Sequence, residues 1–228
     1  MDAESIALRG LELGAIKLSP DDPFTWASGY RMPIYNDNRM FLFNAHDRDY
    51  IIDAFNILMD KTSMDEGLSI DTIAGTSTAG IPWGAFLSDL WWGLNFVYVR
   101  DKPKDHGLRN QIEGIDSNSD LRGHSVALIE DLISTGGSSA RAVQAIRDAQ
   151  GECNYCFSIF DYGLDKAREA FDALNPSCTT KSLLTYDTLL RVAKDRGYIN
   201  PKQEGMLEEW RIDPFRWGEK HGFPRVEK

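Results

Sequence analysis

The chain has 228 residues, of which 42% are hydrophobic and 26% charged, and its formal net charge is −10. This length and composition are typical of a globular protein with a substantial core, and the negative charge argues against a nucleic-acid or anionic-membrane surface. The sequence has no leader pattern and no apolar run of membrane-spanning length, so we expect neither export nor a membrane partner. Three cysteines do not make a disulfide framework, and we expect a reducing, cytoplasmic location.

Apolar residues at helical spacing predict helices at 5–17 and across DRDYIIDAFNILMD. The polar, aromatic segment 21–39 between them is predicted to be a loop with a short strand. From residue 69 onwards, predicted strands and helices alternate. The predicted strands are 69–74, 94–100, 124–129, YCFSIFDY and KSLLTY. The predicted helices are Pro82 to about Trp92, Ser138 to Gln150, 165–175, 187–196 and 201–211.

This alternation is typical of βαβ units and predicts an α/β fold with a mostly parallel central sheet flanked by helices. Ligands of such sheets bind at the carboxyl ends of the strands. We predict a single domain made of an N-terminal segment (1–45), an α/β core (46–186) and a C-terminal helical tail (187–228). The core contains a long, polar, aperiodic segment at about 101–123, which is predicted to be a mobile functional loop.

The stretch VALIEDLISTGGSSARAVQAI, residues 126–146, combines two carboxylates with a glycine-rich turn. Glu130 and Asp131 follow a predicted buried strand, where they can accept hydrogen bonds from a vicinal diol or help to hold a divalent cation. The hydroxyls and glycines from Ser134 to Ser138 open a predicted helix, whose N–H groups favour a phosphate. The pattern predicts a phosphorylated sugar as the ligand. The alternative is an ordinary strand–turn–helix with a capping serine.

A second candidate is the basic segment YVRDKPKDHGLRNQIEG, residues 98–114, in an otherwise acidic chain. A basic lid suits a reaction whose leaving group is pyrophosphate, because its closure excludes water and brings cations to developing negative charge. A solvated charged loop is the alternative interpretation.

The chain has neither GxxxxGK(S/T) nor GxGxxG, so a P-loop or a dinucleotide-binding fold has no support.

Three segments carry a resemblance to known enzymes. Residues 126–138 resemble the phosphoribosyl-pyrophosphate (PRPP) motif of the type I phosphoribosyltransferases. The pattern Arg-x-x-x-Lys-Asp-His-Gly at 100–107 resembles the catalytic loop of the orotate phosphoribosyltransferases, and FTWASGYRMPIY at 24–35 resembles the base-site segment of that family. The resemblance implies a type I phosphoribosyltransferase fold with a small N-terminal base-site subdomain and C-terminal helices. It also implies transfer of the phosphoribosyl group of PRPP to orotate in pyrimidine biosynthesis, with Mg²⁺.

The resemblance further implies roles for individual residues. The implied PRPP-binding residues are Arg100, Lys104, His106, Glu130, Asp131, Leu132, Ile133, Ser134, Thr135, Gly136, Gly137 and Ser138. Within this set, the two acids would hold the ribose hydroxyls and the glycine-rich turn the 5′-phosphate, while the basic residues would grip the pyrophosphate. Lys104, His106 and Asp131 are the implied catalytic residues. No resident metal is expected, since Mg²⁺ arrives with PRPP. The implied pyrophosphate turn, GTSTAG, contributes Thr76, Ser77, Thr78, Ala79 and Gly80.

The base site departs from the usual pattern of the family at two positions. Ala27 and Tyr162 stand where many members have a cation. Ser134 lies where the family contacts orotate, and we predict that Arg31 supplies charge to the carboxylate of the base while Tyr35 stacks on its ring.

The resemblance also implies a homodimer in which the loop around Lys104 reaches the neighbouring active site. Two alternatives stay open: a type I phosphoribosyltransferase for another nucleobase, and a non-catalytic regulator that senses PRPP.

Overall fold

The computed structural model describes residues 2–90, 93–102, 111–116 and 119–227. Within these ranges the strands are β1 (Ile16–Leu18), β2 (Phe24–Thr25), β3 (Arg31–Met32), β4 (Ile34–Asn36), β5 (Thr72–Thr76), β6 (Asn95–Val99), β7 (Ile112–Glu113), β8 (Ser125–Ile133), β9 (Glu152–Asp161) and β10 (Thr179–Thr185). The α-helices are α1 (Ala3–Leu13), α2 (Ala45–Glu66), α3 (Gly80–Leu90), α4 (Gly137–Asp148), α5 (Asp165–Asp172), α6 (Tyr186–Asp195), α7 (Pro201–Ile212) and α8 (Pro214–Lys220). A 3₁₀-helix spans Asn38–Leu42.

The central element is a six-stranded sheet with the order β10-β9-β8-β5-β6-β7. The first five strands in this order are parallel to one another, and the short edge strand β7 runs antiparallel to β6. Two small antiparallel pairs, β1 with β4 and β2 with β3, lie in the N-terminal region. The prediction of an α/β fold with a mostly parallel sheet is confirmed.

The two faces of the sheet carry separate parts of the core, because alternate residues of a strand point to opposite sides. Ala127 and Ile129 of β8 belong to the cluster that includes buried residues of α1, α2, α3 and α6. Val126 and Leu128 belong to the other cluster, which includes the buried residues of α4 and α5. Helices therefore cover both faces, as expected for a parallel sheet.

The first predicted helix, 5–17, is too long at its C-terminal end. Gly14 adopts a left-handed conformation with φ of 69°, and its N–H donates to the carbonyl of Leu11 at 3.1 Å, which terminates α1. The next residues form β1, which pairs with β4. The sequence pattern also did not predict α8, which begins at Pro214 directly after α7.

The central strand β8 continues beyond its predicted end at Ile129. It pairs with β9 as far as Ile133, whereas its pairing with β5 on the other side stops at Ile129. Glu130 and Asp131 consequently lie within the strand and do not follow it. Because β5 has already ended there, this last part of β8 borders an open space on that side.

The C-terminal tail packs on the N-terminal region. The side chain of Trp210 is fully buried, and its indole N–H donates to the sulfur of Met32 at 3.0 Å. Trp217 is also buried and donates to the carbonyl of Met206 at 2.8 Å.

Within the described ranges, every helix is too short or too polar to cross a membrane.

The three cysteines are buried as free thiols in the core, which agrees with a packing role for the Cys-x-x-Cys pair at 153 and 156.

Candidate active site

Two adjoining clefts open at the edge of the sheet where the parallel strands end. We call the first the carboxylate cleft; its volume is about 250 Å³, and it lies between the turn after β5 and the end of β8. Its lining includes Thr76, Ser77, Asp101, Glu130, Asp131 and Ser138. We call the second the aromatic cleft; its volume is about 400 Å³, and its lining includes Trp26, Ser28, Tyr35, Asn36, Ser134 and Tyr162. Leu132 lines both clefts.

Glu130 is held by hydrogen bonds from three elements. One carboxylate oxygen accepts from the hydroxyl of Thr76 at 2.8 Å and from the backbone N–H of Asp131 at 3.0 Å. The other accepts from the hydroxyl of Ser139 in α4 at 2.8 Å. The residue is only 7% exposed. These bonds use most of the roughly four acceptor positions of a carboxylate, so Glu130 is fixed in place, and its role toward ribose stays a prediction.

Asp131 lies beside Glu130 and is partly buried. Burial raises the pKa of its carboxyl to about 7, and the negative charge of Glu130 contributes to the rise. The N–H of Leu132 and the charge of Arg39 lower the pKa in the opposite direction. A cation or a pair of hydroxyl donors near Asp131 would favour its ionised form, which is the property expected of a group that meets a ribose diol or a metal-bound substrate.

The backbone of the glycine-rich turn after β8 lies very close to the neighbouring helix α5. Gly136 has φ of 72°, and a Cβ atom there would lie 2.9 Å from the Cα of Ala167 in α5. α4 begins at the next residue, Gly137, and no side chain caps its first N–H groups. A helix start of this kind favours an anion. The role of this turn toward the 5′-phosphate stays a prediction.

The turn after β5 packs tightly against β8. A Cβ atom at Gly80 would lie 2.4 Å from the carbonyl oxygen of Ile129, so only glycine fits at this position. The N–H of Ser77 donates to the carbonyl of Val99 in β6 at 2.8 Å. Ser77, Thr78 and their neighbour Ala79 line the carboxylate cleft directly opposite the acidic part of β8. Their role toward pyrophosphate stays a prediction.

Aromatic rings lie at or beside the two positions, Ala27 and Tyr162, where the resemblance implies a cation. Trp26, which precedes Ala27, stacks on Tyr162 with ring centroids 6.0 Å apart. Tyr162 is buried and also meets Trp210 edge-on at 5.2 Å. Burial raises the pKa of the Tyr162 phenol, so this side chain stays neutral. The cleft therefore offers a flat apolar wall, which suits a planar ring.

The structure separates the two residues that we predicted to contact orotate through charge and stacking. Tyr35 lines the aromatic cleft and is 40% exposed. The guanidinium of Arg31 instead donates to the carbonyl of Pro23 at 2.7 and 3.1 Å and lies over the ring of Phe223 at 5.6 Å. Among the described residues, Arg31 is not part of the cleft lining, so its predicted contact with a bound base requires a change of side-chain direction.

The C-terminal residues hold one wall of the aromatic cleft in place, a contact that sequence reasoning missed. Arg225 donates to the carbonyl of Ser28 at 2.9 and 3.2 Å and lies over the ring of Tyr30 at 4.5 Å. The N–H of Val226 donates to the carbonyl of Gly29 at 2.9 Å. The sequence pattern gave no signal for where these last residues would pack.

The basic segment lies only partly within the described residues. Arg100 follows β6 and pairs with Glu113 at 3.3 Å. Lys104 and His106 lie outside the described residues, so their predicted roles stay predictions from the sequence.

Comparison with known proteins agrees with this geometry. No protein-family model matches the chain. The curated orotate phosphoribosyltransferase of Listeria innocua is 43% identical over 215 residues, which cover 94% of this chain and 98% of the relative. Among solved structures, the orotate phosphoribosyltransferase of Aeropyrum pernix is similar with a TM-score of 0.67 at 22% identity, over 86% of this chain and 99% of that one. The adenine phosphoribosyltransferase of Saccharomyces cerevisiae is similar with a TM-score of 0.60 at 24% identity, over 79% of this chain and 99% of that one.

The two structural likenesses concern the fold, which is that of the type I phosphoribosyltransferases. Within this class, the identity of 43% over nearly the whole chain is decisive. The chain belongs to the orotate phosphoribosyltransferase family.

We expect Asp131→Asn to stabilise the protein more at pH 8 than at pH 5. A pKa raised from 3.8 to about 7 means that the folded state binds this proton more tightly than the unfolded chain. The free energy of unfolding therefore falls as the pH rises through this interval, and asparagine avoids that loss. The melting temperature of the variant should exceed that of the wild type by several degrees at pH 8.

The exposed Asp60 of α2 provides the matched control, as Asp60→Asn. Equal differences between Asp131→Asn and the wild type at both pH values would contradict the raised pKa.

Proposed function

We propose that the protein transfers the phosphoribosyl group of PRPP to orotate, giving orotidine 5′-monophosphate and pyrophosphate in pyrimidine biosynthesis. The observation that carries the proposal is the contact between the two clefts, which share Leu132. A sugar phosphate in the carboxylate cleft and a planar base in the aromatic cleft would therefore meet side by side. The names of the full-length relatives support orotate as the base.

The reaction needs no protein nucleophile. The ring nitrogen N1 of orotate attacks the anomeric carbon while the bond to pyrophosphate breaks, and the N1 proton is released to the pyrophosphate or to water. The transition state carries positive charge on the ribose. The protein lowers the barrier by positioning both reactants and by stabilising the departing anion. The start of α4 suits the 5′-phosphate, and the carboxylates of Glu130 and Asp131 suit the ribose hydroxyls.

Mg²⁺ belongs to this proposal as part of the substrate, bound to the diphosphate of PRPP. The donor set of the carboxylate cleft fits a hard cation, because carboxylate oxygens are its preferred ligands. A nearby cation would stabilise the ionised form of Asp131 in particular, since burial and the charge of Glu130 disfavour that form. The chemistry that the cation supplies is neutralisation of the leaving group.

The proposal extends to a homodimer in the cytoplasm. An exposed aromatic patch supports a second copy as partner: Phe43 is 97% and Phe86 39% exposed, and Arg48 lies over the Phe86 ring at 5.3 Å. The basic loop around Lys104 would reach the active site of the partner copy, as the resemblance implies. Three free cysteines are consistent with a reducing compartment.

A base panel tests the activity directly. Purified protein with PRPP and Mg²⁺ should consume orotate and leave uracil, hypoxanthine and adenine unchanged, as followed by absorbance. Chelation of the metal should abolish turnover, and added Mg²⁺ should restore it. If the protein converted another base and left orotate unchanged, that base would replace orotate in the proposal. Tight PRPP binding without turnover of any base would favour the regulator.

We expect Lys104→Ala to lower kcat/KM for PRPP by about 10²–10³-fold, because it removes a cation from the departing pyrophosphate. Lys61→Ala, which removes an exposed cation of α2, is the control for charge. Steady-state kinetics with both variants measures the difference. Equal activities of Lys104→Ala and Lys61→Ala would exclude the predicted role.

Mixed dimers test the shared active site. A dimer with one Lys104→Ala chain and one Asp131→Asn chain contains one intact site if the loop crosses to the partner, and no intact site if it does not. Mixed dimers isolated with two different affinity tags should therefore recover about half of the wild-type activity. An activity no higher than that of the two parent variants would show that each site is built from one chain.

A further inference from the structure

A buried asparagine contacts the acidic strand from outside the sheet. Asn38 opens the 3₁₀-helix, and its side-chain amide donates to the backbone carbonyl of Asp131 in β8 at 2.7 Å. Asn38 is fully buried, whereas the Asp131 residue lines the carboxylate cleft. The sequence pattern gave no signal for this contact.

The contact lies where β8 has lost one of its two neighbouring strands. β8 still pairs with β9 through Glu130 and Leu132, but its pairing with β5 has already ended at Ile129. The backbone groups of Asp131 therefore need other partners. The N–H of Asp131 donates to the carboxylate of Glu130 at 3.0 Å, and its carbonyl accepts from Asn38. Two side chains thus take the place of the missing strand.

The direction of the Asn38 amide is set by a second asparagine. The side-chain nitrogen of Asn36 donates to the side-chain oxygen of Asn38 at 3.1 Å. A flipped Asn38 would place its oxygen against the carbonyl of Asp131, so that two acceptors would face each other. Asn36 is itself held in β4, where it pairs with Ile16 of β1. The nitrogen of Asn38 therefore points to Asp131.

The 3₁₀-helix that carries Asn38 is anchored in the core. Phe41, three positions further along the chain, is buried in the same cluster as residues of α1 and α2. Close-packed side chains of this kind resist displacement, so Asn38 is a fixed point for the end of β8. A leucine of nearly the same volume would bury no polar atoms at this position, but it could not hold the strand.

We infer that Asn38 is a positioning residue: its buried amide holds the backbone of Asp131 and thereby directs the carboxylate of that residue toward the ribose of PRPP. This inference rests on the proposed function. Because Asn38 is fully buried, it acts through Asp131 and not by contact with a reactant. Hydrogen bonds at the N–H and at the carbonyl fix the two peptide planes that flank the Asp131 side chain, and its direction follows from them.

The test measures whether Asn38 acts through Asp131. The four proteins are the wild type, Asn38→Leu, Asp131→Ala and the double variant. Their dissociation constants for PRPP are measured by calorimetry with Mg²⁺ and without orotate, so that no transfer to the base takes place. Asn38→Ala, whose side chain is smaller than the natural one, is measured in both backgrounds as well, in case the leucine prevents folding.

We expect Asn38→Leu to weaken PRPP binding about tenfold in the wild-type background and less than about threefold in Asp131→Ala, where the carboxylate is already absent. Asn38→Ala should show the same dependence on Asp131. The control is Val192→Ala, which removes buried volume from α6, outside the lining of both clefts, and should keep the PRPP affinity of the wild type. Circular dichroism and melting temperatures show whether each variant is folded.

The outcomes separate this inference from the proposed function. An equal loss of affinity in both backgrounds, or no loss in either, would overturn the role of Asn38 and leave the activity standing. Wild-type affinity in Asp131→Ala would show that Asp131 does not hold the ribose, and the inference would fall with that part of the proposed function. Failure of the wild type to bind PRPP would overturn the proposed function itself.

Discussion

The buried carboxylate of Glu130 connects the elements that form the carboxylate cleft. It accepts hydrogen bonds from Thr76 at the end of β5, from Ser139 in α4 and from the backbone of its own strand. Loss of one donor would leave a buried charge with incomplete pairing, which is among the costliest defects in a protein interior. The same charge helps to raise the pKa of Asp131 beside it. One residue therefore links the stability of this sheet edge to the ionisation of Asp131 in the carboxylate cleft.

The aromatic cleft depends on contacts between distant parts of the chain. Trp26 comes from the N-terminal region, Tyr162 from the end of β9, and the Arg225 side chain holds the turn at Ser28 from the C-terminal tail. The stacked rings of Trp26 and Tyr162 leave a neutral, apolar wall. Recognition of a carboxylated base in such a cleft would rest on shape, on stacking and on a few oriented hydrogen bonds, and less on direct charge pairing.

Much of the fold could be predicted because its signals are local. The alternation of apolar strands and amphipathic helices predicted the parallel sheet, and acids followed by hydroxyls and glycines predicted the turn before α4. The errors lie where tertiary contacts decide the end of an element. β8 extends to Ile133 because β9 continues beside it, and α1 ends early because Gly14 turns the chain into a strand that pairs with β4.

The sequence by itself determined the fold class, the family resemblance and the position of the glycine-rich turn, because periodicity and turn chemistry act over a few neighbouring residues. Only the tertiary structure decided how the site is completed. It turned Arg31 toward Pro23, left the oxygen of Asn36 without a described partner, and brought Arg225 to Ser28 across 197 positions. Asn38 meets Asp131 across 93 positions. Contacts over such separations depend on how the whole chain packs, and no local pattern encodes their partners.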